Sequence, residues 1–410
     1  MNRMKIRLPA LEKNEWLVLL VFLSALVSVY LISAVLILMP IYVLITRQAK
    51  KMLPSNLREG LLFAFVGIGA VTTMLFARDT FIFDIGFTSY QGVYPLKAVY
   101  FRLVSVSFII LAFDLCFLFH VITKRALSTG LKLTAIMSYP LFGIAVIQRI
   151  FSLWANQNRP GRVASLFINE NYYGAAAVGL TIIALYLFFR EKGVKNRILY
   201  VGSVLCGLAG LWLSQCRAAI LVAALSAVVF LCCYDNRFIF ASIGIACVGL
   251  ILLWIFPSVL PRLENLSEDF EQRLDYWKAA WNCFADGNYF VGQGYFSYSR
   301  IWQDYGSISS SAPHTHNIFI GSLLNFGVIG SVCLFGSAGL HIYQSLAVCR
   351  KKSMKAERAL ILSILTAVML HGLLDATVVW PQVGAVTVLI LGAYRAYGQM
   401  NETEKEGKNG

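Results

Sequence analysis

Between Leu17 and Thr46 the chain runs for 30 residues without a charged side chain. One helix of that length is about 45 Å long, which overshoots a hydrocarbon core of about 30 Å. Two short spans joined by a tight turn fit instead, and they return the chain to its starting side. The flanks agree with a hairpin. Arg3, Lys5, Arg7 and Lys13 precede the run, and Arg47, Lys50, Lys51 and Arg58 follow it. Positive flanks favour the cytoplasmic side of a membrane. The run exceeds the apolar core of a signal peptide, about 7–15 residues, so no cleavage is expected.

Comparable apolar runs recur to the end of the chain. They predict spans near 17–30, 32–46, 60–77, 98–122, 131–150, 172–189, 198–213, 218–234, 238–256, 316–342, 359–378 and 382–397. The expected fold is therefore all-α, a polytopic bundle of about twelve transmembrane helices forming a single integral-membrane domain over 1–410. One long connection, 257–315, separates the ninth span from the tenth. Charged residues make up 14% of the chain, against about a quarter in soluble domains. No internal repeat is evident. The nine cysteines form no CxxC pair, and most fall inside apolar runs, where they read as small buried hydrophobes.

With both termini inside, the connections on the inner side hold 24 Lys and Arg and those on the outer side 10. This bias predicts the orientation, and it puts 257–315 outside, with seven acids and four bases. The net charge of +14 is scattered between apolar spans, which argues against nucleic acid as a partner.

Polar residues at the expected outer helix ends form the candidate site. Arg162 follows span five, and Arg217 sits in the tight turn "SQCRAA". Arg273 belongs to the long loop, His314 and His316 end it, and Asp375 closes span eleven. An arginine at a membrane helix end commonly snorkels to the headgroups, and an interfacial histidine is commonly satisfied by a carbonyl. The "HTH" pair also admits a metal. On a helix, however, side chains two apart diverge by about 200°, and no further cluster is evident to complete the ligands, so none is expected. Gly321, Gly327 and Gly330 suit close helix packing. Trp277, Trp281, Tyr295, Tyr298 and Trp302 suit either sugar stacking or an interfacial belt.

Guanidinium binds phosphate oxygens bidentately and stays charged. A histidine near neutral pH takes a proton from a hydroxyl. Arginines and a histidine at headgroup level thus suit transfer of a lipid-diphosphate-linked group to an acceptor hydroxyl. A flippase or permease is the competing class, but it should place polar residues near the midplane and show repeat symmetry.

The chain resembles the O-antigen ligase and polymerase superfamily of bacterial inner-membrane glycosyltransferases. "HNIFIGSLLNFGVIG" is similar to the family's pattern of His-Asn, nine residues and Gly-x-x-Gly, at His316, Asn317, Gly327 and Gly330. "RAAIL" resembles its Arg-x-x-x-Leu at Arg217 and Leu221. "QRLDYWKAAW" resembles its segment of an arginine followed by aromatic and small residues, and "GRVASLFINENYYGA" its arginine-bearing segment before an Asn-x-x-Gly helix start. The resemblance implies a C-type membrane glycosyltransferase fold and metal-independent, inverting transfer without a cofactor, at a site facing the periplasm. It implies an undecaprenyl-diphosphate-linked glycan as donor. The acceptor would be lipid A–core for a ligase or another lipid-linked glycan for a polymerase; transfer to protein is a third possibility. His316 would be the catalytic base, and Arg217, Arg273 and Arg162 the diphosphate ligands. His314, Asn317 and Asp375 would support them. The middle of 257–315 matches nothing in the family pattern, so the acceptor is left open.

Overall fold

A computed structural model describes residues 11–76, 82–84, 89–91, 97–155, 161–244, 266–306 and 314–398. The uncharged run at the N-terminus breaks where a hairpin requires. Helix α1 (Lys13–Val27) and helix α2 (Val29–Ile45) meet at Ser28, which is extended. At their far ends the Tyr42 hydroxyl donates to Asn14 Oδ1 (2.9 Å) and the Asn14 amide donates to Gln48 Oε1 (3.0 Å). The start of α1 and the end of α2 therefore lie at one level.

The chain continues through α3 (Leu57–Phe76) and a two-stranded ribbon, β1 (Ile82–Asp84) against β2 (Ser89–Gln91). Then come α4 (Lys97–Val121), α5 (Lys124–Ile136), α6 (Ser138–Ala155), α7 (Glu170–Arg190), α8 (Val194–Ser214) and α9 (Arg217–Tyr234). Beyond the long connection stand α12 (Ile318–Val348), α13 (Lys355–Leu374) and α14 (Pro381–Leu391). Among the described residues seven helical stretches are long and apolar enough to cross a membrane, and Val29–Ile45 and Ser105–Val121 are shorter apolar helices. The expected count of twelve is not confirmed among the described residues. Helices α1 and α14 have 15 and 11 residues, and residues 245–256 of the ninth expected span lie outside the described residues. The fifth expected span, 131–150, falls within the apolar stretch Lys124–Trp154, which α5 and α6 form together.

Helix α7 is the axis of the bundle and is buried along most of its length, from Tyr172 to Leu187. Its neighbour α8 comes close because two glycines face it. A Cβ on Gly207 would lie 2.3 Å from Thr181 Oγ1, and one on Gly210 would lie 2.4 Å from the Tyr173 hydroxyl. Close backbone approach at small residues is how membrane helices gain packing contacts. At one end of the bundle Arg190 of α7 pairs with the buried Glu357 of α13 at 2.9 Å. The candidate site lies at the other.

The long connection differs from an irregular loop. It contains α10 (Leu266–Ala285) and the short α11 (Ser297–Ile301). Tyr276, Ala279, Ala280, Cys283 and Phe284 of α10 form an apolar cluster with Tyr298, Trp302 and Leu324, separate from the main core. These elements and the first turns of α12 make a cap with its own small core. The cap is locked to α12 at Gly327, where φ is +63° and the helix is interrupted. Chain 289–294 fills the interruption. Gln293 and Gly294 donate to the carbonyls of Leu324 and Asn325 (2.9 and 2.8 Å), while Val328 and Ile329 donate to those of Tyr289 and Phe290 (2.8 and 3.0 Å). Backbone groups freed by the break thus find partners, as a buried break demands. The three glycines of α12 consequently divide in role. A Cβ on Gly330 would lie 2.6 Å from Phe326 of its own helix and 3.5 Å from Ile68 of α3. Gly327 instead admits extended chain, since a Cβ there would lie 2.4 Å from the Phe290 carbonyl. Gly321 faces Thr315 of its own lead-in.

Candidate active site

Asn317 caps α12, its Oδ1 accepting from the backbone of Phe319 and Ile320 (2.9 and 3.1 Å). The Asn317 amide donates to the Leu373 carbonyl (3.2 Å), which docks the start of α12 on the end of α13. His316, expected where the loop meets the tenth span, therefore lies just before the cap. Its φ is +50°. Thr315 stabilises this left-handed turn, its hydroxyl donating to the Asn317 carbonyl (2.7 Å). The turn brings the rings of His314 and His316 to 4.2 Å, a pairing that a helix would prevent.

Both histidines face Asp375, which follows the last residue of α13 and is 3% exposed. His316 Nδ1 lies 3.3 Å and His314 Nε2 3.7 Å from Asp375 Oδ1. Each histidine side chain keeps 22% of its surface open. Tyr276 of the cap stacks on His316, with ring centres 5.4 Å apart and planes at 22°. Burial pushes His314 down to about 4, helped by the neighbouring His316 and Arg273 and opposed by Asp375. Burial alone would raise the Asp375 carboxyl. His316, 3.3 Å away, and the other histidines around it outweigh burial and hold the group below the usual carboxylate range.

The three expected arginines gather around this cluster in different ways. Arg273 of α10 donates to the Leu374 carbonyl beside Asp375. Arg217, at the start of α9, pairs with Asp269, one helical turn before Arg273 on α10. Both are thus tied to the same cap helix. Arg162 donates through Nε to the Ser214 carbonyl (3.1 Å) and through Nη2 to Asn171 Oδ1 (2.5 Å). The Asn171 amide in turn donates to Asp375 Oδ2 (3.2 Å). Asn171 opens the Asn-x-x-Gly start of α7, Asn171 to Gly174, whose resemblance to the family assigns it no role.

His314, His316 and Asp375 each offer a donor atom, all within 4.8 Å of one another. The fold thus supplies the third ligand that sequence spacing left missing. Hydrogen-bond direction nonetheless opposes a metal. His314 Nδ1 accepts from the His316 backbone N–H (3.2 Å). In a neutral ring the other nitrogen, Nε2, then carries the proton and donates toward Asp375. A metal on Nε2 would displace that proton.

An apolar cavity of about 440 Å³ opens beside the cluster. His314, Thr315 and Asn317 line one end of it, and its wall follows α12 as far as Ser345.

Residues 202–335 match the O-antigen ligase family. The superfamily resemblance read from the sequence is shown by this segment, which covers about a third of the chain. The O-antigen ligase segment includes Arg217, Arg273, His314, His316 and Asn317, together with the cap and the glycine lock. Arg162, Asn171 and Asp375 come from outside it and complete the cluster. A comparison with curated proteins gives no match.

Proposed function

We propose that the protein transfers a glycan from undecaprenyl diphosphate to an acceptor hydroxyl at the outer face of the bacterial inner membrane. The O-antigen ligase family supports glycosyl transfer of the ligase or polymerase type. The observation that carries the mechanism is the His316–Asp375 pair, flanked by arginines at a helix-end seam. Asp375 accepts from His316 Nδ1–H, which leaves Nε2 as the basic nitrogen. Nε2 takes the acceptor hydroxyl's proton as that oxygen attacks the anomeric carbon. The new glycosidic bond forms as the bond from anomeric carbon to diphosphate oxygen breaks, with inversion. The diphosphate leaves with the electron pair, and its charge is matched by Arg217 and Arg273. For Arg217 this means exchanging Asp269 for phosphate. The apolar cavity that ends at His314 and Asn317 suits the polyprenyl chain of such a donor.

Ligation of O-antigen to lipid A–core is our first reading of the acceptor, and polymerisation of lipid-linked repeats shares the same chemistry. The glycan profile of a deletion strain distinguishes them. Loss of capped lipopolysaccharide with accumulating lipid-linked polymer indicates the ligase, whereas lipopolysaccharide capped by single repeats indicates the polymerase. Unchanged glycans would exclude both. The orientation is tested by labelling intact cells with an impermeant thiol reagent. Lys278→Cys on the cap should react and Lys50→Cys, after the first hairpin, should not. The reverse pattern would invert the site.

A further inference from the structure

Arg162 was expected to bind phosphate, yet its guanidinium is engaged within the protein. The side-chain contacts run Arg162 Nη2 to Asn171 Oδ1 (2.5 Å), Asn171 Nδ2 to Asp375 Oδ2 (3.2 Å), and Asp375 Oδ1 to His316 Nδ1 (3.3 Å). Four separate parts of the chain contribute: the segment before α7, the first turn of α7, the end of α13 and the lead-in to α12.

The direction of the two hydrogen bonds from Arg162 to Asn171 and from Asn171 to Asp375 is forced. A guanidinium only donates, so Asn171 must present its oxygen to Arg162. Its NH2 group must then face Asp375. Asp375 Oδ2 accepts that amide, while Oδ1 accepts the Ala376 backbone N–H (2.8 Å). A carboxylate receiving donors at both oxygens is held ionised. The remaining neighbours are His314 Nε2, 3.7 Å from Oδ1, and His371, while Arg273 donates to the adjacent Leu374 carbonyl. His316 Nδ1 is buried, has no other hydrogen-bond partner among the described residues and lies 3.3 Å from this acceptor-only carboxylate, which favours the proton on Nδ1 and the lone pair on Nε2. Arg162 is itself immobilised by the Ser214 carbonyl at 3.1 Å.

We infer that Arg162 and Asn171 are positioning residues that fix the tautomer of His316 through Asp375, rather than ligands of the diphosphate. The inference rests on the proposed role of His316 as base. Arg217 and Arg273 remain the donor's phosphate partners.

The test uses full-length protein in proteoliposomes, with an undecaprenyl-diphosphate-linked oligosaccharide as probe and kcat and KM measured across pH. Asn171→Leu keeps the volume and removes the relay. It should lower kcat by about 10-fold to 100-fold, short of the largest losses on removing a general base, about 10⁴-fold, with KM for the probe unchanged. Asn171→Asp places a second carboxylate beside Asp375 and stabilises the imidazolium. It should move the acid limb of the kcat profile to higher pH. Arg162→Lys should retain most of kcat, because an ammonium still donates to Asn171 but does not reproduce a bidentate phosphate fork. Unchanged kcat and pH profile in both Asn171 variants, with His316→Ala inactive, would overturn the relay alone. A raised KM with intact kcat in Arg162→Lys would return Arg162 to the diphosphate. Activity in His316→Ala would instead remove the base on which the inference depends. If Asn171→Leu does not fold, the acid-limb shift in Asn171→Asp decides.

Discussion

The Nδ1 of His316 and the Oδ1 of Asp375 lie 3.3 Å apart, although one residue precedes α12 and the other follows α13. A base held by a buried carboxylate at a helix-end seam is the arrangement on which the proposed transfer depends. Asp375→Asn keeps the size and removes the charge. We expect it to cost at least tenfold in kcat, because an amide no longer stabilises the imidazolium that forms, and a general base contributes about 10²–10⁴-fold. Transfer rates in proteoliposomes check this.

The arginines of the cap interface make a second prediction. Arg217→Ala and Arg273→Ala should abolish transfer while the protein still reaches the membrane. Arg217→Lys should also be weak, because a point charge does not replace the bidentate fork. Normal transfer by Arg217→Ala would remove the diphosphate clamp.

The histidines make stability depend on pH. Unfolded, His314 titrates near its ordinary 6.5; in the fold, burial lowers it to about 4. Between these values the unfolded chain binds more protons. Stability from this group is therefore full above 6.5 and declines as pH falls toward about 4. Thermal unfolding in detergent across that window should show the decline, and His314→Gln should flatten it. An equal slope in the variant would assign the effect elsewhere.

Much of the fold was legible because burial in lipid leaves a plain record. The uncharged run and its basic flanks predicted the hairpin that breaks at Ser28, and most apolar stretches became helices close to their expected ends. The cap was missed because α10 is too polar to register as a span. Its signal was present in another period: Tyr276, Ala279, Ala280, Cys283 and Phe284 follow the spacing of one helical face. Asp375 and His316 were both visible as polar residues at helix ends, but no local pattern pairs them. Asn171 was less legible still. Its partner Asp375 is 204 residues away, and the Asn-x-x-Gly helix start that contains it carries no hint of what its side chain meets.

Gly327 is predicted to be intolerant of a side chain. Its positive φ and the 2.4 Å approach of a Cβ to the Phe290 carbonyl leave no room for alanine. Backbone strain of this kind costs about 1–3 kcal/mol, and the added contact should loosen the cap. Gly327→Ala should therefore lower the unfolding temperature and expose the cap to limited proteolysis. Gly339→Ala, where nothing lies within 4 Å, serves as the control.

The metal question is settled by chelation. If His314 and His316 donate to Asp375, transfer should proceed unchanged in excess EDTA. Loss of activity that zinc or magnesium restores would make the three side chains ligands instead.

The most direct measurement is the rate of glycan transfer by purified wild-type protein and by His316→Ala, reconstituted with an undecaprenyl-diphosphate-linked glycan and a lipid A–core acceptor. The account predicts a glycosylated acceptor and released undecaprenyl diphosphate from the wild type, with loss of about 10²–10⁴-fold in the variant and a smaller loss in His314→Ala. Transfer by His316→Ala at the wild-type rate would contradict it.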